Sequence, residues 1–353
     1  MRHGTVNAAW LRFATAKSRC GEGPVNALAM TTVTTPASTD TLFISIASYC
    51  DPLLEFTLRS ALTQASHPER LRFGIVEQQT ADACITVPEP WRAQVRRVHI
   101  NLLDARGPCW ARAIGMSLYQ GERWFLQIDS HTWFEPGWDD RLIRWGEACQ
   151  ALNPRCLITA YPNAFRMVDG TPTVEMAGHK VLAHVVAAGQ QFAADHPVLM
   201  FEGVPVESDQ PVYGMHVAAG CLFAPGTVVN ALPYDPFLYF HGEEQSFALR
   251  AWTAGWDIFH IPAVPLYHHY VAAQDTGRPM HWAPEIDAQR VVRWGELAAL
   301  SNQRLRALLW GGADLGLYGL GSARSLAEYA AFSDIDYPGR QINPQAYKAR
   351  FGY

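Results

Sequence analysis

Asp129, Ser130 and His131 close the stretch "RWFLQIDSH". The apolar run before them reads as a buried strand, and a core strand has no use for a carboxylate and an imidazole. Residues i and i+2 of a strand project to one side, so Asp129 and His131 could share one divalent cation. A mixed oxygen and nitrogen donor set suits Mn2+ or a similar ion. The triplet is short, and Asp129 as a turn cap beside a surface His131 fits it equally well. Its place at the end of an apolar strand favours chemistry.

Three ligands persuade where two do not, and "LYHHY" offers His268 or His269 as the third. "HGEEQ" places Glu243 and Glu244 at a helix start, where acids complement the helix dipole. The chemical alternative is a carboxylate that faces a sugar, holding its hydroxyls or stabilising developing positive charge. Lysine is scarce, so Arg106, Arg112 and Arg278 are the candidate partners of a diphosphate, although each alone is an ordinary surface cation. The Gly-rich "LYGLGSARS" and "GGADLG" follow no evident strand and lack a P-loop Lys, which excludes a nucleotide-phosphate loop there. No G-x-S-x-G elbow and no H-E-x-x-H occurs.

The elements that must carry these residues alternate. "TLFISIASYCDP" is a strand, and Asp51-Pro52 marks a helix start because Asp caps and Pro suits the first helical position. Leu58, Ala61, Leu62 and Ala65 then share one helical face. "LRFGIVEQQ" and "VRRVHI" are further strands. Gly107-Pro108 opens a helix with Ala111, Ile114 and Leu118 on one face, and "RWFLQID" follows as a strand. Trp138, Leu142, Trp145, Cys149 and Leu152 recur on the next helix, and "CLITAYP" is a strand again. Alternation of this kind predicts an open α/β sheet with helices on both faces, whose ligands bind beyond the carboxyl ends of the strands. Asp129 to His131 sit at such an end.

Residues 164–215 are dotted with Pro and Gly and read as an irregular excursion over the sheet. "GMHVAAGCLFAP" returns as a strand, "HGEEQSFALRAWTAGW" as a loop entering a helix, and "IFHIPAVPLYHHY" as extended chain. Residues 271–284 fit either an ordinary surface loop or a lid that brings Arg278 over a diphosphate and excludes water. The domain expectation is a flexible leader over 1–40, a catalytic domain over 41–284, and a helical extension over 285–353 packed on it.

Composition excludes several classes. The chain has 353 residues, 49% hydrophobic and 17% charged, with 28 basic against 33 acidic residues and no basic block. That is enough apolar material for a sizeable core, and no nucleic-acid partner is expected. The seven cysteines are scattered without a C-x-x-C pair, which fits reduced thiols in the cytoplasm. No apolar run approaches the length of a membrane span, so no transmembrane anchor is expected, and the first residues lack a secretory h-region.

Four segments, "FISIASYCDPLLEFTLRSAL", "RGPCWARAIGMSLYQGERWFLQIDSH", "HGEEQSFALRAWTAGWDIF" and "YGLGSARSLAEYAAFS", taken in order, resemble glycosyltransferase family 60 over residues 41–335. That family adds GlcNAc to hydroxyproline or Thr, and the pattern also resembles the polypeptide GalNAc-transferases, with their D-x-H motif and later His. The resemblance implies a GT-A fold, a Rossmann-like nucleotide half joined to an acceptor half. It implies a retaining enzyme that needs Mn2+ (or Mg2+) and a UDP-sugar donor, with a protein, peptide or glycan hydroxyl as acceptor. Carried over by motif, Asp129, His131 and His268 are the metal ligands, and Glu243, with Glu244 beside it, faces the sugar. Ala47, Ser48 and Tyr49 match the strand end that holds uridine. Asp51, Ser130, Arg106, Arg112 and Arg278 complete the donor-binding set. His241 departs from the Trp or Gly common before Gly242 in related sequences. A nucleotide-sugar hydrolase or nucleotidyltransferase using the same metal, and a non-catalytic sugar-nucleotide-binding protein, are the alternatives.

Overall fold

The computed structural model describes residues 40–175, 181–270 and 277–349. The expected leader, Asp40 excepted, and residues 271–276 of the expected lid lie outside the described residues. The first half runs β1 (Leu42–Tyr49), α1 (Leu54–Gln64), β2 (Leu71–Gln78), β3 (Val95–Ile100), α2 (Pro108–Met116), β4 (Trp124–Asp129), β5 (Thr132–Phe134), α3 (Trp138–Leu152) and β6 (Cys156–Thr159). Then come β7 (Asn163–Val168), β8 (Thr171–Val174), β9 (Val181–Val186), β10 (Phe201–Val206), β11 (Val212–Gly214), β12 (Cys221–Pro225), α4 (Val228–Ala231), α5 (Glu243–Thr253), β13 (Asp257–His260) and β14 (Leu266–His268).

The main sheet has eight strands in the order β11-β13-β6-β12-β4-β1-β2-β3. The β3-β2-β1-β4 half is parallel, as strand–helix alternation demands. The β12 strand enters antiparallel to both β4 and β6. Alternate residues of β1 feed two cores: Ile44 and Ile46 meet Leu58 of α1 and Trp138 and Leu142 of α3. Phe43 faces the other way, into a core shared by Cys109 of α2, Phe247 of α5, and Leu305 and Tyr329 of the helices Trp294–Leu309 and Leu326–Ser333. Each such fully buried side chain contributes about 1.5–3 kcal/mol. The expected α/β architecture with helices on both faces is therefore present.

Local expectations needed correction. The side chain of Asp51 accepts from the Leu53 amide at 2.9 Å, yet α1 begins only at Leu54, beyond Pro52. Helix α2 stops at Met116, so Leu118 lies past its end, and its buried side carries Cys109 and Arg112 inwards. Leu152 is 60% exposed because it ends α3. The described residues of 164–215 hold five strands, not an irregular excursion. Their Pro residues misled because Pro172 and Pro205 sit in narrow ladders, β7–β8 and β9–β10, where a missing donor is tolerated at an edge.

A second sheet, β5-β14-β7-β8, lies against the end of β4. Its register places His268 opposite Thr132. No helix among the described residues is long and apolar enough to cross a membrane.

Candidate active site

Strand β4 ends at Asp129, and the chain bends through Ser130 and His131 before β5. The alternation of a single strand therefore does not bring Asp129 and His131 together; the bend does. Thr57 of α1 pins it: its hydroxyl donates to the Ser130 carbonyl at 2.8 Å and accepts from the Thr132 amide at 2.9 Å. The neighbouring β14 strand is tied on by the His269 amide, which donates to the His131 carbonyl at 3.1 Å. One ligand atom from each of Asp129, His131 and His268 lies within 4.8 Å of the others. His269, one residue on, instead lines a separate small hollow with Asp51 and Met167.

The donor set fits a small divalent ion. His268 Nε2 and Asp129 Oδ2 are 3.1 Å apart, close to the edge, about 3 Å, of an octahedron with bonds of about 2.1 Å. His268 Nδ1 is buried without a partner, so this imidazole is aimed by packing and by Asp129. Gly220 leaves room there, since a Cβ at this position would lie 2.9 Å from Asp129 Oδ2.

Asp129 is one end of a charged chain. Arg112 Nη2 donates to Asp129 Oδ1 at 3.0 Å, and Arg112 Nη1 to Glu243 Oε1 at 2.5 Å. Cys109 Sγ donates to the second Glu243 oxygen at 2.8 Å. Burial would raise the Asp129 pKa, but the His268 hydrogen bond and the Arg112 charge outweigh it and hold the carboxyl well below its usual range. Burial prevails at Glu243, which is pushed up despite Arg112. It also prevails at His268, which is held below its ordinary value although Asp129 pulls the other way. A neutral His268 is the ligating form.

A cavity of about 330 Å³ opens over this chain. Its wall includes Ala47, Tyr49, Arg112, Asp129, Ser130, His131, Glu243, Glu244, His268 and Arg278, so most of the residues singled out in the sequence converge. Glu244 is fixed by the Ala219 amide at 2.7 Å. Asp51 lies behind the wall, with Oδ2 2.6 Å from both His131 Nδ1 and Arg278 Nη1. Burial raises the Asp51 pKa, but His131, the Leu53 amide and Arg278 bring it down to about 2. Two further residues, besides Asp51, do not join the wall. Ser48 is buried inside the sheet, and Arg106 is exposed with its guanidinium 5.6 Å from the Trp110 ring.

The cavity also recruits residues that sequence reasoning missed: Gly107, Gly220, Phe240, His281 and Trp282. Gly107 has φ +91, and a Cβ there would lie 2.7 Å from Tyr239. His281 is held by Arg290, a buried residue of the C-terminal segment that donates to the His281 carbonyl, to Tyr49 Oη at 2.7 Å and to the Leu102 carbonyl at 3.1 Å. The nearest signal was the "GRPMHW" cluster beside Arg278; nothing local to Arg290 announces its role.

A family model described as Glycosyltransferase (GlcNAc) matches residues 41–90 and 80–338. The chain belongs to this glycosyltransferase family. No curated protein matches the glycosyltransferase by sequence. Among solved structures it is similar to "Crystal structure of GalNAc-T7 with UDP, GalNAc and Mn2+", with TM-score 0.56 and 14% identity, over 83% of this chain and 54% of that one. The glycosyltransferase thus spans about half of that chain. At this identity the likeness is one of fold, and it agrees with the GT-A architecture expected from the sequence.

Proposed function

We propose that this glycosyltransferase is a metal-dependent, retaining enzyme that moves a sugar, GlcNAc, from UDP to the hydroxyl of a protein, peptide or glycan acceptor. The observation that carries the reading is the convergence of Asp129, His131 and His268 beneath a cavity bordered by the β1 end, Arg278 and Glu243. The UDP, GalNAc and Mn2+ named for the similar GalNAc-T7 structure support a UDP-sugar and a divalent ion here. A bound Mn2+ or Mg2+ would neutralise the diphosphate as the sugar leaves.

The protein's own groups would share that work. Ala47 and Tyr49 would flank the nucleoside, and Arg278 would add positive charge at the diphosphate. Both Glu243 oxygens are engaged, by Arg112 and Cys109. That supports an orienting role for Glu243 towards the sugar over a nucleophilic one, with the acceptor attacking the face the diphosphate leaves and giving its proton to it. Glu244, tied to Ala219, would border the sugar from the next turn. The described cysteines are all free thiols, in keeping with a cytoplasmic protein.

The test is UDP release from a panel of UDP-sugars with Mn2+, followed by mass spectrometry of candidate acceptors. UDP-GlcNAc is expected to lead, and Asp129→Ala or His131→Ala to remove the Mn2+-stimulated rate from folded protein. Full activity in EDTA overturns the metal reading. Sugar phosphate or free sugar as the sole product, whatever acceptor is supplied, replaces transfer with donor hydrolysis.

A further inference from the structure

Asp51 is more than a helix cap. One oxygen is enough to cap, and Oδ1 does so by accepting from the Leu53 amide at 2.9 Å. Oδ2 is turned the other way and gathers three groups: His131 Nδ1 at 2.6 Å, Ser130 Oγ at 2.8 Å and Arg278 Nη1 at 2.6 Å. The Asp51 side chain is only 3% exposed, so water does not take the place of these partners.

An ionised carboxylate only accepts, so the 2.6 Å contact places the proton between Asp51 and His131 on Nδ1, while the Arg278 Nη1 contact to the same nitrogen, at 3.4 Å, is too long to compete. A neutral imidazole carries one N–H, and Nε2 is then left with its lone pair. We propose that Asp51 is a positioning residue for the metal centre: it fixes His131 as the Nδ1–H tautomer and orients Nε2 for ligation. Carboxylates behind metal-bound histidines act in this way elsewhere. The same oxygen draws Arg278 to the rim, so one carboxylate places both a metal ligand and a cation for the diphosphate. The proposal rests on Asp129, His131 and His268 being the ligands.

The experiment needs no turnover. In metal-free wild-type protein, 15N chemical shifts of the His131 ring are expected to show Nδ1 protonated and Nε2 bare. In Asp51→Asn the Leu53 amide still donates to the side-chain oxygen, which turns the amide nitrogen towards His131 and moves the ring proton to Nε2. Asp51→Ala removes the acceptor altogether. Mn2+ affinity, read from the free-ion EPR signal without donor, is expected to fall about 10–100-fold in both variants, with circular dichroism confirming the fold. A wild-type His131 protonated on Nε2 overturns the proposal without recourse to any variant. So does wild-type Mn2+ affinity in Asp51→Asn and Asp51→Ala while His131→Ala has lost it. Wild-type affinity in His131→Ala itself would instead sink the ligand assignment beneath it.

Discussion

Arg112 and Glu243 form a buried ion pair, Nη1 to Oε1 at 2.5 Å, joining the first turn of α5 to the middle of α2. The other arm of the same guanidinium holds Asp129 at 3.0 Å. One planar cation thus spaces the proposed metal ligand from the proposed sugar-facing carboxylate.

Removing that cation leaves Glu243 buried and uncompensated. Arg112→Met is expected to cost about 3–5 kcal/mol of stability. Adding Glu243→Gln should recover part of the loss, because the stranded charge is gone. Urea unfolding of the single and double variants measures this, and a double variant no more stable than Arg112→Met contradicts it.

Gly220 tests the cradle around Asp129. A Cβ here would lie 2.9 Å from Asp129 Oδ2 and 3.7 Å from His268 Cδ2, so the carboxylate must move. Gly220→Ala is expected to weaken Mn2+ binding at least about tenfold, with a much smaller effect on the melting temperature. Titration calorimetry with Mn2+ on variant and wild type decides it.

Arg278 pairs with Asp51 while 26% of its side chain remains exposed, and without it the buried Asp51 keeps His131, Ser130 and the Leu53 amide, so its loss is expected to cost only about 1 kcal/mol of stability. Arg278→Ala should raise the KM for the UDP-sugar and leave the melting temperature nearly unchanged. Unaltered kinetics would leave the diphosphate to the metal site alone.

In the buried histidine group His184, His216 and His260, His260 accepts from the His184 amide at 3.3 Å and sits 3.0 Å from the Thr159 carbonyl. Burial lowers its pKa from 6.5 to about 4. His184 is held well below 6.5, by burial and by the neighbouring His260 and His216. Glu244 faces this group, 3.5 Å from His216. The unfolded chain takes up protons below pH 6.5 while native His260 does not until about pH 4. Stability is therefore full above that window and falls as the pH drops through it, by up to about 3 kcal/mol for His260 alone. Chemical unfolding across the window measures the slope, and His260→Gln should flatten it.

Strong local patterns were legible in the sequence. The apolar strands, the 3.6-residue faces and the polar end of β4 pointed to an α/β sheet and to Asp129 and His131, whereas only the family resemblance chose His268 over His269 and turned Glu243 towards a sugar. Long-range arrangements were not. Arg112 looked like any helix cation until the fold turned it inwards, and Arg106, six residues away, stayed outside. Asp51 was read as a cap with a role in donor binding; which of its oxygens meets His131 depends on a bend 80 positions later. The hairpins within 164–215 escaped notice because short edge strands tolerate the Pro and Gly that elsewhere mark loops.

Arg290 reaches Tyr49 across 241 positions of chain. On a ribosome adding about 5–20 residues per second, the first strand waits about 10–50 s for that partner. Until then Tyr49 and the His281 segment lack the guanidinium that ties them together. The cavity is therefore completed late in translation, and a nascent chain stalled before Arg290 would carry Asp129 and His131 in a cavity that is still open on one side.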